Sequence, residues 1–367
     1  VRDNMNVGWG FEMRQENYII KPGDVYAREP GPYTWVNFLT NPETGQPYSA
    51  PPIGANGRSG TAVDAAGTFS RENVAAYVDV EWDLSDDTLI QMAARFENFD
   101  SFGTTTDGKL AFRHNATDKL TIRGAVSTGF RAPTPGQANV TSIVTTFDGA
   151  TGLQEQQGTV RPTDAIAVSL GGKELEPEES TNVSLGFTAN PTDDWTVTFD
   201  IYKIDVDDRI AKTQDIPVDN PLFTRLSFYT NALQTDTKGF DLVATYRRDW
   251  DNGSNTDFSF AWNHNTTDVT GQNQVNGINP VSDGNIFNIE NNLPEDRLVI
   301  TARHFWEQIT TTVRANYYGS TIDERNNREP VNSATFVDFS VAYQVNENYS
   351  LTLGASNVFD EYPNEIT

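Results

Sequence analysis

The stretch NVAAYVDVEWDL at residues 73–84 alternates apolar and polar side chains with a period of two. Its apolar positions include Val74 and Val78, and its polar positions include Asp79 and Glu81. After the turn residues 85–87, the stretch TLIQMAARFENF repeats the alternation. Because successive side chains of a strand point to opposite faces, the two stretches predict a β-hairpin with one apolar and one charged face.

The same alternation recurs along the chain, whereas helical periodicity is scarce. It predicts roughly 13 strands, most about 10 residues long, which is the length that a tilted membrane-spanning strand needs. The clearest further examples are residues 110–113, 120–127, 182–187, 196–201, 240–246, 258–262, 298–302, 313–317, 337–343 and 351–355.

The connections between these strands are alternately short and long along most of the chain. Short turns are predicted at 85–87, 116–119, 190–194, 249–255, 306–308 and 346–348. Long loops are predicted at about 17–69, 130–178, 207–227 and 269–294. An outer-membrane barrel keeps its short turns at one end and its long loops at the other.

A soluble sandwich has no reason to sort its connections in this way. We therefore predict an all-β fold, an antiparallel transmembrane β-barrel, with residues 1–367 forming one partial barrel domain. The alternatives are a soluble sandwich, propeller or jelly roll. The lack of a repeat of constant length counts against the propeller.

The composition restricts the kinds of partner. The 367 residues include 51 acidic and 26 basic residues, which give a formal net charge of −25. This charge argues against nucleic-acid binding, because phosphate backbones require clustered Lys and Arg. The chain has no cysteine, so the sequence offers neither a disulfide framework nor a thiolate metal site.

Hydropathy alone does not separate a membrane barrel from a soluble protein. No apolar run approaches the roughly 18 residues of a transmembrane helix. The mean hydropathy of −0.52 fits a barrel, whose strands alternate, as well as a soluble protein. No signal peptide is recognisable at Val1, and residues 5–13 already read as a strand. We therefore expect that an N-terminal part of a longer protein is missing.

Five segments carry a family resemblance. They are Ser127–Pro133, Leu175–Asn182, Asp200–Ile210, Thr237–Leu242 and Gly354–Pro363. In this order and at spacings suited to successive hairpins, they resemble the C-terminal half of TonB-dependent outer-membrane receptors. The resemblance covers essentially the whole chain.

The resemblance implies an architecture. The strands would be part of a plugged 22-stranded barrel, roughly its last two-thirds without the closing strand. The N-terminal plug domain and its TonB-interacting segment are expected to be missing from this chain. An open sheet with long exposed edges would not be stable in lipid, which is why we expect further strands.

The resemblance also implies a function. Such a receptor lies in the bacterial outer membrane and takes up a scarce solute (a siderophore, another metal chelate, a glycan or a peptide) with energy from TonB. The implied partners are TonB through the missing plug, the nutrient ligand, and outer-membrane lipid and lipopolysaccharide. No reaction is catalysed and no cofactor is expected. The alternatives are a passive porin-like barrel and a secreted β-rich carbohydrate-active or binding protein.

If the apolar faces meet lipid, the opposite faces line the lumen. Cross-strand pairs of carboxylates and guanidinium groups are expected there. These pairs can form a structural ladder that contacts a plug, or a polar path for the solute. The charges predicted to face the lumen are Asp79, Glu81, Arg95, Glu97, Arg113, Arg123, Arg297, Arg303, Arg314 and Asp338.

The sequence offers little catalytic or metal-binding chemistry. His114, His264 and His304 fall in three separate strands without the spacing of a metal site. Residues 249–257 resemble a calcium loop superficially, but Phe260 stands where that loop has its last glutamate. The Asp, Asn and Gly residues there also suit a tight turn. We predict no metal site.

The long loops hold the candidate contacts with a solute. Aromatic and polar side chains on exposed loops suit sugars, flat chelates or peptides. Each can equally well pack its own loop, and Arg131 can tie a loop to the barrel wall. The candidates are Tyr33, Trp35, Phe38, Arg131, Gln137, Phe223, Phe228 and Tyr229.

Four tryptophans fall at or beside predicted short turns, namely Trp82, Trp195, Trp250 and Trp306. Aromatic side chains form girdles where a barrel crosses the membrane–water interface. The sequence therefore favours an interfacial girdle at the short-turn end, with core packing as the alternative.

Overall fold

The computed structural model describes residues 4–25, 60–61, 65–147, 154–219, 224–324 and 328–364. The helices are α1 (Pro135–Asn139), α2 (Ala165–Ser169) and α3 (Asp283–Asn291). The strands are β1 (Met5–Ile20), β2 (Gly67–Ser85), β3 (Thr88–Phe99), β4 (Gly103–Thr117), β5 (Leu120–Arg131), β6 (Ser142–Phe147), β7 (Gln154–Thr159), β8 (Glu178–Ala189), β9 (Trp195–Lys212), β10 (Ile216–Pro217), β11 (Arg225–Ser227), β12 (Tyr229–Asp249), β13 (Asn255–Gln272), β14 (Asp296–Trp306), β15 (Ile309–Tyr318), β16 (Thr321–Ile322), β17 (Pro330–Val331), β18 (Ala334–Asn346) and β19 (Tyr349–Ala355).

Thirteen of these strands form one antiparallel sheet in the order β1-β2-β3-β4-β5-β8-β9-β12-β13-β14-β15-β18-β19. Neighbours in this sheet also follow one another along the chain, apart from the short strands β6, β7, β10, β11, β16 and β17, which pair elsewhere. This up-and-down order confirms the predicted all-β, antiparallel fold.

Because the strands run up and down in turn, their connections fall alternately at two ends of the sheet. We call one end the turn end, where the links are residues 86–87, 118–119, 190–194, 250–254, 307–308 and 347–348. We call the other the loop end, where the links are residues 21–66, 100–102, 132–177, 213–228, 273–295 and 319–333. Apart from 100–102, the loop-end links are the longer ones.

The strand register separates two faces, as the period-two pattern predicts. Val78 pairs with Ala94, while its neighbour Tyr77 pairs with Arg95. We call the face of Val78 the apolar face and the face of Arg95 the polar face. Val78 is 40% exposed and Phe96 48% exposed, so the apolar face is not a closed dry core. A soluble sandwich would bury it.

Several strands are longer than the sequence indicates. The prediction of about 10 residues is correct for β14 and β15 but wrong for β12, which has 21 residues. At about 3.3 Å per residue, β12 spans roughly 70 Å, well beyond a hydrocarbon core of roughly 30 Å even when tilted. Register shifts occur near its loop end, between Asn231 and Leu233 and between Leu233 and Thr235. These irregularities break the alternation from which strand length was predicted.

The loop-end links carry their own secondary structure. The strands β10, β11, β7 and β6 form a second sheet, in which β11 and β7 run parallel. We call this sheet with helices α1 and α2 the loop cluster. Its core consists of Ile143, Val160, Ala167, Leu226 and Phe228, all buried. The sequence predicted these segments as loops.

The helices are short and capped by their own sequence. At α1, Thr134 accepts a hydrogen bond from the Gln137 amide, and the Gln137 side chain accepts one from the Thr134 amide. Asp164 caps α2 and Ser282 caps α3 in the usual way, by accepting from an amide of the first turn. Within the described ranges, no helix has the length and apolar character needed to cross a membrane.

Candidate functional site

The polar face is the larger part of the candidate site. The register places on it all the charged residues that the sequence assigned to a lumen, since each alternates with a side chain of the apolar face. That this face lines a lumen remains a prediction. The residues concerned are Asp79, Glu81, Arg95, Glu97, Arg113, Arg123, Arg297, Arg303, Arg314 and Asp338.

Toward the loop end, charged side chains of β1 and β3 and an amide side chain of β2 form one network. Arg95 donates to Glu97 on its own strand and to Glu12, with a separation of 3.1 Å between Nη2 and Oε2 of Glu12. The Asn73 amide donates to the other Glu97 oxygen at 2.8 Å. Glu97 is buried, with 7% exposure, and its charge is offset by these donors. The network contains one cross-strand ion pair of the predicted kind, between Arg95 and Glu12, and it ties three strands together.

A second ion pair joins strands that are not adjacent. Arg123 on β5 donates from Nε to Oδ1 of Asp200 on β9, at 2.9 Å. Strand β8 lies between them and presents Gly186, which is the register partner of both residues. Because glycine has no side chain, the guanidinium group passes over β8 to the carboxylate.

Arg131 has a structural contact at the loop end of β5. Its guanidinium group makes a two-point ion pair with Glu178 of β8, with 2.7 Å between Nε and Oε2. Glu178 is 6% exposed and also accepts the backbone amide of Ile210 at 2.7 Å. These bonds hold the starts of the links after β5 and β9 against the sheet. They match the wall-tying role that the sequence offered for Arg131 beside solute contact.

The remaining candidate contacts do not gather in one place. Phe228 is completely buried in the loop cluster, so it packs its own loop, the alternative left open by the sequence. Gln137 uses its side-chain oxygen to cap α1. Tyr229 is half-buried at the start of β12, opposite Lys212. The candidates Tyr33, Trp35, Phe38 and Phe223 lie outside the described residues.

The tryptophans beside the short turns fit the proposed girdle. Trp195 and Trp306 lie on the apolar face at the turn end and are 40% and 49% exposed. The Trp195 ring stacks on Tyr246, with 4.6 Å between centroids. Partial exposure at one level of the apolar face favours an interface over a core, although the girdle itself stays a prediction.

The three histidines serve as hydrogen-bonding side chains of individual strand pairs. His114 bonds to Thr88 at 2.9 Å, and His304 bonds to Thr256 at 2.8 Å. His264 lies 3.0 Å from Asp296, which also accepts the Trp262 indole N–H. In the part of the chain that the structure covers, no group of three His, Asp or Glu could hold a metal ion.

The acidic stretch at 249–257 builds a turn. Trp250 and Ser254 are joined by a backbone hydrogen bond, and the Asn252 side chain accepts from Ser254. Gly253 has a φ of 80°, a conformation that glycine adopts without cost. Its Asp, Asn and Gly content is therefore explained by turn geometry.

Sequence reasoning missed several partners on the polar face. It named Arg123 and Arg131 as site residues but did not identify Asp200, Gly186 or Glu178 as the residues that they contact or cross. A signal was available for one of them, because a glycine inside an otherwise regular strand marks a close approach by a neighbour. The carboxylates could not be matched to their arginines without the register.

A family model described as "TonB dependent receptor-like, beta-barrel" matches residues 3–358. Among curated relatives, the chain is 23% identical over 295 residues to "Vitamin B12 transporter BtuB" of Photobacterium profundum, a match covering 79% of the chain and 40% of that protein. It is 21% identical over 327 residues to "Ferric enterobactin receptor PirA" of Pseudomonas aeruginosa, covering 84% and 40%. The chain thus spans about two-fifths of these relatives' length.

Solved structures show the same fold at low identity. The ferric enterobactin receptor PfeA from Pseudomonas aeruginosa superposes with a TM-score of 0.66 at 14% identity, covering 98% of this chain and 46% of that one. The FrpB iron transporter from Neisseria meningitidis gives 0.60 at 11% identity, covering 98% and 49%. At such identities the likeness establishes the fold alone.

Proposed function

Because the chain belongs to the TonB-dependent receptor-like β-barrel family, we propose that it supplies wall and loops of an outer-membrane receptor that imports a scarce solute with energy from TonB. TonB-dependent receptors are outer-membrane β-barrels of Gram-negative bacteria, which places this chain in that membrane. The family match over residues 3–358 is the observation that carries the proposal.

Three structural features support import of a bound solute. The exposed apolar face suits contact with lipid, and the polar face supplies a charged wall. The loop cluster has a hydrophobic core, so the loops at that end can present a preformed surface. Binding sites are commonly built on such loops over a rigid scaffold.

We propose a metal chelate as the solute class. The curated relatives are named as a vitamin B12 transporter and a ferric enterobactin receptor, and structural neighbours are named as ferric enterobactin and siderophore receptors. These names favour a chelate over a glycan or a peptide. TonB is the proposed energy-coupling partner through a plug domain, with outer-membrane lipid and lipopolysaccharide around the wall.

The test is an uptake assay in the native host. The gene is deleted, and accumulation of radioiron-labelled chelates and of labelled vitamin B12 is compared in the presence and absence of functional TonB. We expect one of these solutes to accumulate only with both the gene and TonB. Accumulation that persists without TonB would indicate a passive porin-like barrel. Recovery of the protein in a soluble fraction without detergent would contradict the outer-membrane assignment.

A further inference from the structure

Two arginines lie directly opposite each other on the polar face near the turn end. Arg113 of β4 is the register partner of Arg123 of β5. Cβ atoms of such cross-strand pairs lie about 4.5–5.5 Å apart, and like charges in this position destabilise a sheet. A negative charge close to both guanidinium groups would therefore stabilise the pair.

Only one of the two has a carboxylate partner in the described residues. Arg123 is paired with Asp200 across Gly186. Arg113 faces Leu89 on its other side, and the described side chains provide it with no ion pair or hydrogen bond. Its guanidinium group is exposed on the polar face.

The surroundings of the two arginines form a recess of about 280 Å³. Small side chains on neighbouring strands, including Ala111 and Ala125, leave this space open. Its charged rim consists of Lys109, Arg113, Arg123 and Asp200. Three positive charges and one negative charge leave a formal charge of +2, in a chain whose net charge is −25. We call this site the basic recess.

The basic recess differs from its neighbour on the same face. The adjacent recess, of about 390 Å³, carries Arg95 and Lys109 together with Asp79 and Asp107. Its charges balance, and its Asp79 also accepts a hydrogen bond from Gln91 at 2.9 Å. Lys109 lines both recesses. The charges that belong to the basic recess alone are Arg113, Arg123 and Asp200, which leave an excess of one positive charge, that of Arg113.

We propose that the basic recess binds a carboxylate or phosphate group of the imported solute, an inference that rests on the proposed function. A guanidinium group matches both anions with two parallel hydrogen bonds. Asp200 holds Arg123 in place, so that Arg113 and Arg123 can face one anion from two strands. The recess lies near the turn end. A solute that entered at the loop end would therefore reach it only after passing most of the length of the barrel wall.

The experiment titrates the purified full-length receptor in detergent with citrate and with inorganic pyrophosphate, by calorimetry at low ionic strength. We expect the unaltered protein to bind at least one probe and Arg113→Gln to weaken the affinity by about tenfold or more, since a charged hydrogen bond is lost. The control is Lys119→Gln, which removes the same charge from the turn of the same hairpin. It should change the affinity by less than about twofold, and added salt should weaken the unaltered protein's binding.

Two outcomes overturn the proposal. One is that Arg113→Gln and Lys119→Gln have the same effect. The other is that the unaltered protein binds neither probe, as it would if a carboxylate from another segment of the receptor already filled the recess. TonB-dependent uptake, measured in the native host as in the assay above, separates this proposal from the proposed function. Intact uptake without probe binding refutes only the recess, whereas loss of TonB dependence refutes the proposed function.

Discussion

The guanidinium group of Arg123 on β5 holds the carboxylate of Asp200 on β9 by reaching across the intervening strand β8. Its Nε and Nη2 atoms donate to the two carboxylate oxygens at 2.9 and 2.5 Å. The third nitrogen donates to the Thr188 hydroxyl of β8 at 2.8 Å. All three strands are thereby linked on the polar face, and Gly186 is the residue that leaves room for the link.

Replacing Gly186 by alanine should destabilise the sheet. A Cβ atom at this position would lie 2.5 Å from the backbone oxygen of Phe199 and 2.0 Å from Oδ1 of Asp200. A backbone atom cannot move aside as a flexible side chain can, so we expect a loss of about 1–3 kcal/mol, as for overpacked sites. Urea unfolding of the refolded protein, followed by tryptophan fluorescence, measures the change.

The matched control for this substitution is Gly8→Ala. Gly8 also lies on the polar face of a strand, yet a Cβ atom there would meet nothing within 4 Å. Its midpoint of unfolding should stay within error of the unaltered protein. Equal midpoints for both variants would show that the close approach over β8 is not needed for stability.

Glu178→Gln should loosen the loop end without unfolding the sheet. The carboxylate is buried, accepts the Ile210 amide and is paired with Arg131. Glutamine retains the shape but loses the charge, so the charged hydrogen bonds, worth about 1.5–3 kcal/mol, are weakened. Hydrogen–deuterium exchange of residues 132–177 should become faster.

Glu179→Gln provides the comparison for Glu178→Gln. Glu179 is the next residue on the same strand, but it is exposed and pairs with Asp207 in the register. It carries the same charge at the adjacent position but makes no contact with Arg131. If exchange of residues 132–177 rises equally in both variants, the Arg131–Glu178 pair does not anchor that link.

The large sheet could be predicted from the sequence because each strand shows the apolar–polar alternation within its own residues, as residues 73–99 do. The ion pairs follow no such rule, because Arg123 and Asp200 are 77 residues apart and meet only through the register. The loop cluster was missed for a similar reason. Strand β7 reads QEQQGT, without apolar alternation, and its parallel partner β11 lies beyond two further strands of the main sheet.

Phe228→Ala should disorder the loop cluster while leaving the main sheet folded. The Phe228 ring is fully buried with Leu226 and Ala167, and truncating a buried phenylalanine costs about 3–5 kcal/mol. Limited proteolysis should therefore cut within residues 132–177 or 213–228 more rapidly. Val168→Ala is the control, because Val168 belongs to the same cluster but is exposed. Cleavage that accelerates equally in both variants would mean that the cluster core does not order these loops.

Placing a charge on the apolar face tests whether that face meets hydrocarbon. Ile300 lies on this face, and its neighbour Thr301 pairs across to Ser259 on the polar face at nearly the same height. An arginine facing lipid near the bilayer midplane costs about 2–4 kcal/mol, whereas lumen positions tolerate it. Ile300→Arg should therefore reduce the amount of folded protein in the outer membrane, and Ser259→Arg should not. The reverse order, measured by heat-modifiable migration of outer-membrane fractions, would mean that the polar face is the one packed against an apolar surrounding.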